Sequence, residues 1–380
     1  MRAMIRAAVI PSPNSPVEVR SFSRPQLEDG AALLRVMYSE VCGTDLHLQQ
    51  GLLAETPYPL IPGHATVGVI EEVRGRVVDV NGRTFRGGEM VTFLDVHGTC
   101  GACWFCLVAK ATTRCPHRKV YGITYGADDG LLGGWSEYVY LKPGVRIVRI
   151  PESLSPEAVI GGGCGLPTAF HAVERSDIRL ADTVLVQGTG PVGLSAIALA
   201  RLRGAYRVIA IGGPEVRLEA ARRMGADVVL DVERTTASDR RAAVMEATDG
   251  RGADVAIEAS GNPAAISEGL DLVRDNGVYA VVGHYTDHGP VEINPHLQIN
   301  KKHLDIKGVW GIDYSHLHRS IQILERYNDQ FRWESLITHK FDLDHANEAL
   351  ETVRAGMAIK PVICPHLPTA AETSTAGSPG

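Results

Sequence analysis

The stretch TVLVQGTGPVGLSAIALARLR, residues 183–203, decides the fold. The apolar, β-branched run Thr183–Gln187 feeds a glycine turn, Gly188-Thr189-Gly190-Pro191-Val192-Gly193, which opens the helical stretch Val192–Arg203. A G-x-G-x-x-G string alone carries little information. Set between a strand and a helix, it reads as a dinucleotide-binding turn. Gly190 leaves bare backbone for a pyrophosphate to approach, and the helix N-terminus beyond it favours negative charge. The alternative is a plain tight turn in an α/β sheet. Gly188, Gly190, Pro191, Val192 and Gly193 are therefore cofactor-binding candidates.

Downstream, apolar strands alternate with helices: a strand at Val208–Ile211, a helix at Glu215–Met224 stopped by Gly225, then strands at Val228–Asp231, Val255–Ala259 and Val278–Val282. Short strands and helices in alternation imply a doubly wound parallel sheet. A dinucleotide turn also calls for an acidic residue about 20 positions on, at the end of the second strand, to hold the ribose hydroxyls. Here Ile211 is followed by Gly212-Gly213-Pro214, with Glu215 and Arg217 beyond. No carboxylate ends that strand to repel a 2′-phosphate, and Arg217 would attract one. Glu215 beside it, and the lack of an Arg/Ser cluster, pull the other way. Gly212 and Arg217 join the candidates, and the coenzyme is NAD or NADP, with a lean to NAD.

Upstream of about Leu166 the character differs. Short β-branched runs (Ala32–Met37, Thr66–Val73, Glu137–Leu141) are separated by Asn81-Gly82, Gly87-Gly88 and Gly133-Gly134, the punctuation of a largely antiparallel β domain. Beyond Gly311 come helices at His316–Tyr327 and Leu343–Ala355 and a strand at Lys360–Cys364. The expected organisation is a β domain over residues 1–165, completed by 312–365, with a nucleotide domain, 166–311, inserted between, and a disordered polar tail, 366–380.

With 380 residues, 44% hydrophobic and 22% charged, two globular domains are the expectation. A net charge of −6 offers no basic field for nucleic acid or an anionic membrane. No apolar run approaches a membrane span or a secretory signal, so a cytoplasmic location with reduced thiols is expected. That bears on the seven cysteines. Cys100-x2-Cys103-x2-Cys106-x8-Cys115 clusters four thiolates that would close a tetrahedral shell around one structural zinc. Unrelated buried cysteines and an iron–sulfur cluster are the alternatives.

A dispersed set remains: Cys42-Gly43-Thr44-Asp45-Leu46-His47, Gly63-His64, and Gly162-Gly163-Cys164-Gly165. Singly, each cysteine or histidine reads as a core residue. Together they offer two thiolates and an imidazole, the protein ligands of a catalytic zinc with one open position.

In this order, C-G-T-D-x-H, P-G-H, the four-cysteine lobe, G-C-G-x-x-T-A and G-x-G-x-x-G resemble the medium-chain zinc-dependent alcohol dehydrogenases over nearly the whole chain, from about Arg6 to Pro365. The resemblance implies a GroES-like, largely antiparallel β catalytic domain joined to a Rossmann doubly wound coenzyme domain. It implies two zinc ions per chain, one catalytic on Cys42, His64 and Cys164, and one structural on Cys100, Cys103, Cys106 and Cys115. It makes Thr44 the group that takes the substrate proton, His47 the end of that relay, Asp45 the carboxylate that orients His64, and Lys360 a contact to the coenzyme pyrophosphate. Ala65 stands where the family usually has Glu. The third ligand, Cys164, resembles the simple alcohol dehydrogenases, whereas polyol and threonine dehydrogenases more often have an acidic residue there. The implied reaction is hydride transfer between a small alcohol (secondary alcohol, polyol or amino alcohol) and NAD(P), giving the ketone or aldehyde, in a homodimer or homotetramer. The rival functions are reduction of activated double bonds on the same scaffold, and a non-catalytic nucleotide-binding or structural relative.

Overall fold

The computed structural model describes residues 4–356 and 358–367. Most of the polar tail, from residue 368 on, lies outside the described residues. Two compact units divide the chain: one runs through Gly163 and resumes at Ile337, and the other is Cys164–Leu336.

The second unit is built on a six-stranded sheet in the order Val228–Asp231, Arg207–Gly212, Thr183–Gln187, Ala253–Glu258, Val273–Val281, Asp305–Gly308. Every neighbouring pair is parallel. Numbered along this unit, the order is 3-2-1-4-5-6, that of a dinucleotide-binding sheet whose strand order reverses beside Thr183–Gln187. The central strands are buried on both faces, as a parallel sheet covered by helices requires: Val184, Leu185, Val186, Val208, Ile209 and Ala210 have no exposed surface. The helix Pro191–Arg203 starts with Pro in its first turn and ends at left-handed Gly204.

This unit runs further than the expected boundary at Gly311. The helix Tyr314–Phe331 presents Leu317, Ile321 and Leu324 inward, and its Arg319 and His316 hold Glu174 on the helix Gly165–Ser176 at 3.1 and 3.3 Å. Residues 312–336 therefore pack with the parallel sheet's unit and not with the β unit. The reason is the amphipathic face of that helix, which needs an apolar partner, and the second unit supplies it. The helices Ala237–Ala247 and Pro263–Leu272 complete the alternation, capped by the side chains of Thr236 and Asn262.

The first unit centres on the strand Ala32–Glu40, which pairs antiparallel with Thr66–Val73, Tyr138–Leu141 and Lys360–Ile363. The sheet continues through Met90–Phe93 to Ile147–Arg149 on one side and to Ile337–Phe341 on the other. Only the last pairing, Ile337–Phe341 with Lys360–Ile363, is parallel, and the helix Ala346–Arg354 makes its crossover. Leu33, Leu34, Val36, Ile70, Val91, Phe93, Tyr121 and Val139 form one apolar cluster beneath the sheet. Among the described residues no helix is long and apolar enough to cross a membrane.

Candidate metal and coenzyme sites

The strand Ala32–Glu40 hands the chain to Cys42, which caps the helix Gly43–Gln49 in extended conformation. Asp45, three residues into the cap, is fully buried, and its carboxylate accepts the Cys42 N–H at 2.9 Å and the Gly63 N–H at 3.2 Å. One carboxylate thereby ties the Cys42 turn to the residue before His64. Gly63 is required there: it sits at φ +92°, and a β-carbon would lie 2.5 Å from the Trp135 ring. Burial pushes the Asp45 carboxyl up, while the nearby His64 ring and the two backbone donors pull it down.

His64 is buried, and Cys42 and Cys164 are half-buried. Cys164 is the first residue of the second unit. The ligand atoms of Cys42, His64 and Cys164 all lie within 4.8 Å of one another. A tetrahedral ion with bonds of about 2.3 Å to sulfur and 2.0–2.1 Å to nitrogen spaces its donors roughly 3.4–3.8 Å apart, so this donor set fits zinc. Three donors leave one position open to a small molecule. Thr44 and His47 lie three residues apart on the helix Gly43–Gln49, which puts both half-buried side chains on one face.

Cys100, Cys103, Cys106 and Cys115 form a second group of the same compactness. The Cys103–Cys106, Cys100–Cys115 and Cys103–Cys115 sulfur pairs are 3.6, 3.7 and 3.9 Å apart, close to the roughly 3.8 Å edge of a zinc tetrathiolate. Backbone N–H groups, that of Ala102 foremost, pull the Cys100 thiol down to about 6. A shell with four protein ligands has no vacancy, so this lobe fits a structural ion.

In the second unit the glycines of residues 188–193 serve different ends. Gly188 is at φ +100°, with the Ala259 backbone 2.7 Å from where its β-carbon would stand. A β-carbon on Gly193 would fall 1.9 Å from the Gly188 carbonyl, so helix and strand can meet only without one. Gly190, at the helix N-cap, faces open space: a β-carbon there would meet nothing within 4 Å. That bare cap, with Pro191 and Val192 half-buried behind it, fits a pyrophosphate on the helix N-terminus. Gly212 is buried and makes room for the Thr189 side chain, whose hydroxyl takes the Gly213 N–H at 3.2 Å. Arg217 is half-buried on the helix Glu215–Arg223, and desolvation lowers its pKa.

One expectation is corrected. Lys360 has no exposed surface, and its ammonium lies 2.6 Å from Glu40 Oε1 and 3.4 Å from the Gly162 carbonyl. A cation enclosed in this way cannot contact a pyrophosphate. Its partner is a carboxylate on the neighbouring strand. Glu40 was not among the sequence candidates, because nothing local in the sequence marks it. Asp231 was missed as well: the parallel register sets it opposite Gly212, and its Oδ1 lies 3.7 Å from a β-carbon built on Gly213. The acid that the sequence lacks at the end of the second strand stands at the end of the next one.

Residues 28–152 match the model of the alcohol dehydrogenase GroES-like domain, and residues 191–326 that of the zinc-binding dehydrogenases. The chain is 34% identical over 362 residues to 5-exo-hydroxycamphor dehydrogenase of Pseudomonas putida, covering 94% of this chain and 98% of that protein. It belongs to the medium-chain zinc-dependent alcohol dehydrogenases. This alcohol dehydrogenase is also 30% identical to L-threonine 3-dehydrogenase of Bacillus subtilis over 90% of its own length and 93% of the relative's. Among solved structures it is similar to an alcohol dehydrogenase from Thermotoga maritima, with a TM-score of 0.91 at 34% identity over 96% and 100% of the two chains. A zinc-binding dehydrogenase from Sinorhizobium meliloti, bound to NADP, gives 0.84 at 25% identity over 96% and 100%. The two matched domains of this dehydrogenase include Cys42, His64, the four-cysteine lobe, Gly193 and Arg217. Cys164, Gly188 and Gly190 fall between them, so their candidacy rests on the geometry above.

Proposed function

We propose that this alcohol dehydrogenase passes hydride between a secondary alcohol, polyol or amino alcohol and NAD, at a zinc held by Cys42, His64 and Cys164. The convergence of those three ligand atoms within 4.8 Å carries the reading. Zinc in such a site supplies a Lewis acid that lowers the pKa of an alcohol and polarises a carbonyl. A bound nicotinamide coenzyme would supply the hydride acceptor or donor.

The chain's own side chains handle the proton and the positioning. Thr44, on the first turn of the helix that Cys42 caps, takes the proton from the substrate hydroxyl. His47, one turn on, passes it toward solvent, a task suited to an imidazole near neutral pH. Asp45 keeps the Cys42 and Gly63 backbone aligned and so holds two ligand segments in register. The open N-cap at Gly190 receives the pyrophosphate. Asp231, beside Gly213, favours ribose hydroxyls and disfavours a 2′-phosphate, which supports NAD. Relatives named for hydroxycamphor, threonine and arabitol phosphate support the substrate class. We further propose a cytoplasmic homodimer or homotetramer with a second zinc in the four-cysteine lobe.

A panel of secondary alcohols, polyols and amino alcohols, followed by nicotinamide absorbance with NAD and with NADP, tests this. Turnover with NAD that vanishes in Cys42→Ser is the expected result. A two-zinc enzyme that oxidises none of the panel, and whose carbonyl counterparts oxidise neither reduced coenzyme, would overturn it.

A further inference from the structure

Glu40 and Lys360 are both buried and pair at 2.6 Å, apart from the residues given roles in the proposed reaction. Burying two charges is costly, and such a pair often contributes little net stability; its best attested use is to fix register. Here the pair lies where three segments meet. The Glu40 N–H donates to the Ala65 carbonyl at 3.0 Å, one residue from His64. Its carbonyl accepts the Trp135 indole N–H at 3.0 Å, and that ring closes over Gly63. Two residues further along the chain is Cys42. On the other side, Lys360 Nζ is 3.4 Å from the Gly162 carbonyl. A β-carbon on Gly163 would fall 2.0 Å from Glu40 Oε2 and 2.5 Å from Lys360 Nζ, so the pair is seated directly against the residue before Cys164. The ion pair thus touches the backbone just before Cys164, while the main chain of Glu40 is bonded to the residue after His64 and lies two residues before Cys42.

We propose that Glu40 and Lys360 are the positioning residues of the three-ligand metal site, and that metal affinity there depends on their pairing. The proposal rests on the reading of Cys42, His64 and Cys164 as ligands. The ion pair acts through the backbone. The Glu40 main chain ties the end of its strand to Ala65, and the joined charges fill the space against Gly162 and Gly163. Cys164 is thereby set at the distance from Cys42 and His64 that a tetrahedral ion needs.

The test compares full-length wild type with the double variant Glu40→Gln/Lys360→Met, which removes both charges and leaves neither unpaired, and with Glu40→Asp, which keeps the charge but draws the carboxylate back from Gly163. Zinc content, competition with a chelator, and the visible spectrum of the cobalt-substituted protein are measured. The wild type should hold two ions. Both variants should keep the ion of the four-cysteine lobe and lose affinity at the other site, about 10- to 100-fold in the double variant, with a shifted cobalt band. Glu40→Asp keeps the test decisive if the double variant does not fold. Wild-type affinity and an unchanged cobalt spectrum in the variants would overturn the proposal while leaving the ligand assignment standing. A wild-type chain that holds one ion would remove the ligand assignment and the proposal together.

Discussion

At the scale of single residues, the separation of metal binding from proton handling is open to experiment. Cys42→Ser removes a proposed ligand from a site the core does not need, so the chain should fold, hold one zinc instead of two, and lose turnover by at least ~100-fold. Circular dichroism and metal analysis on the same sample check it. Thr44→Val should instead keep both ions and lose turnover by roughly 10²–10⁴-fold, because it removes only the proposed proton acceptor. Equal loss of zinc in the two variants would place Thr44 among the ligand supports. Residues whose chemistry is rare in a core were legible from the chain alone: two cysteines and a histidine beside glycines announced a metal, and the structure brings them together. Lys360 took its expected contact from the family resemblance alone, and nothing near it in the chain shows that its strand lies beside Glu40, at a separation of 320 residues. Long-range pairing of that kind leaves no local trace.

At the scale of elements, the glycine turn offers a controlled contrast. Gly190 has φ −76° and open space at its β position, so Gly190→Ala should leave the unfolding temperature unchanged and weaken coenzyme binding about tenfold, because the methyl enters the space left for pyrophosphate. Gly193→Ala should instead destabilise the fold by about 1–3 kcal/mol, since its methyl is aimed at the Gly188 carbonyl. Thermal unfolding and NADH fluorescence titration separate the two. Asp231→Ser should raise turnover with NADP relative to NAD by about tenfold, worth ~1.4 kcal/mol of lost repulsion; an unchanged ratio would free Asp231 from any part in coenzyme choice. The central strands of the parallel sheet were legible because burial on both faces leaves continuous apolar runs. The strand Ile337–Phe341 was not: Ile-Thr-His-Lys-Phe alternates partly buried with exposed positions at the sheet edge, over only 5 residues.

For the whole molecule, the metal count is the decisive quantity. Two zinc ions per chain are expected, and Cys115→Ser should lose the lobe's ion and lower the unfolding temperature, since a structural site contributes folding energy directly. Activity per remaining folded molecule should survive that change if the lobe has no part in the chemistry. The division into two units was visible as a change of pattern near Leu166, whereas the return point was not. The amphipathic helix Tyr314–Phe331 suits either unit by composition, and only its packing on Glu174 assigns it to the second.

The two ligand sets also differ in when a growing polypeptide can complete them. Cys100 and Cys115 are separated by 15 residues, so the lobe can capture its ion soon after that short segment leaves the ribosome. Cys42 waits for Cys164, and Glu40 waits for Lys360, at a separation of 320 residues. The proposed lobe can therefore be complete before the proposed three-ligand site is. A nascent chain arrested before Lys360 should carry one tightly held ion and retain a second only weakly.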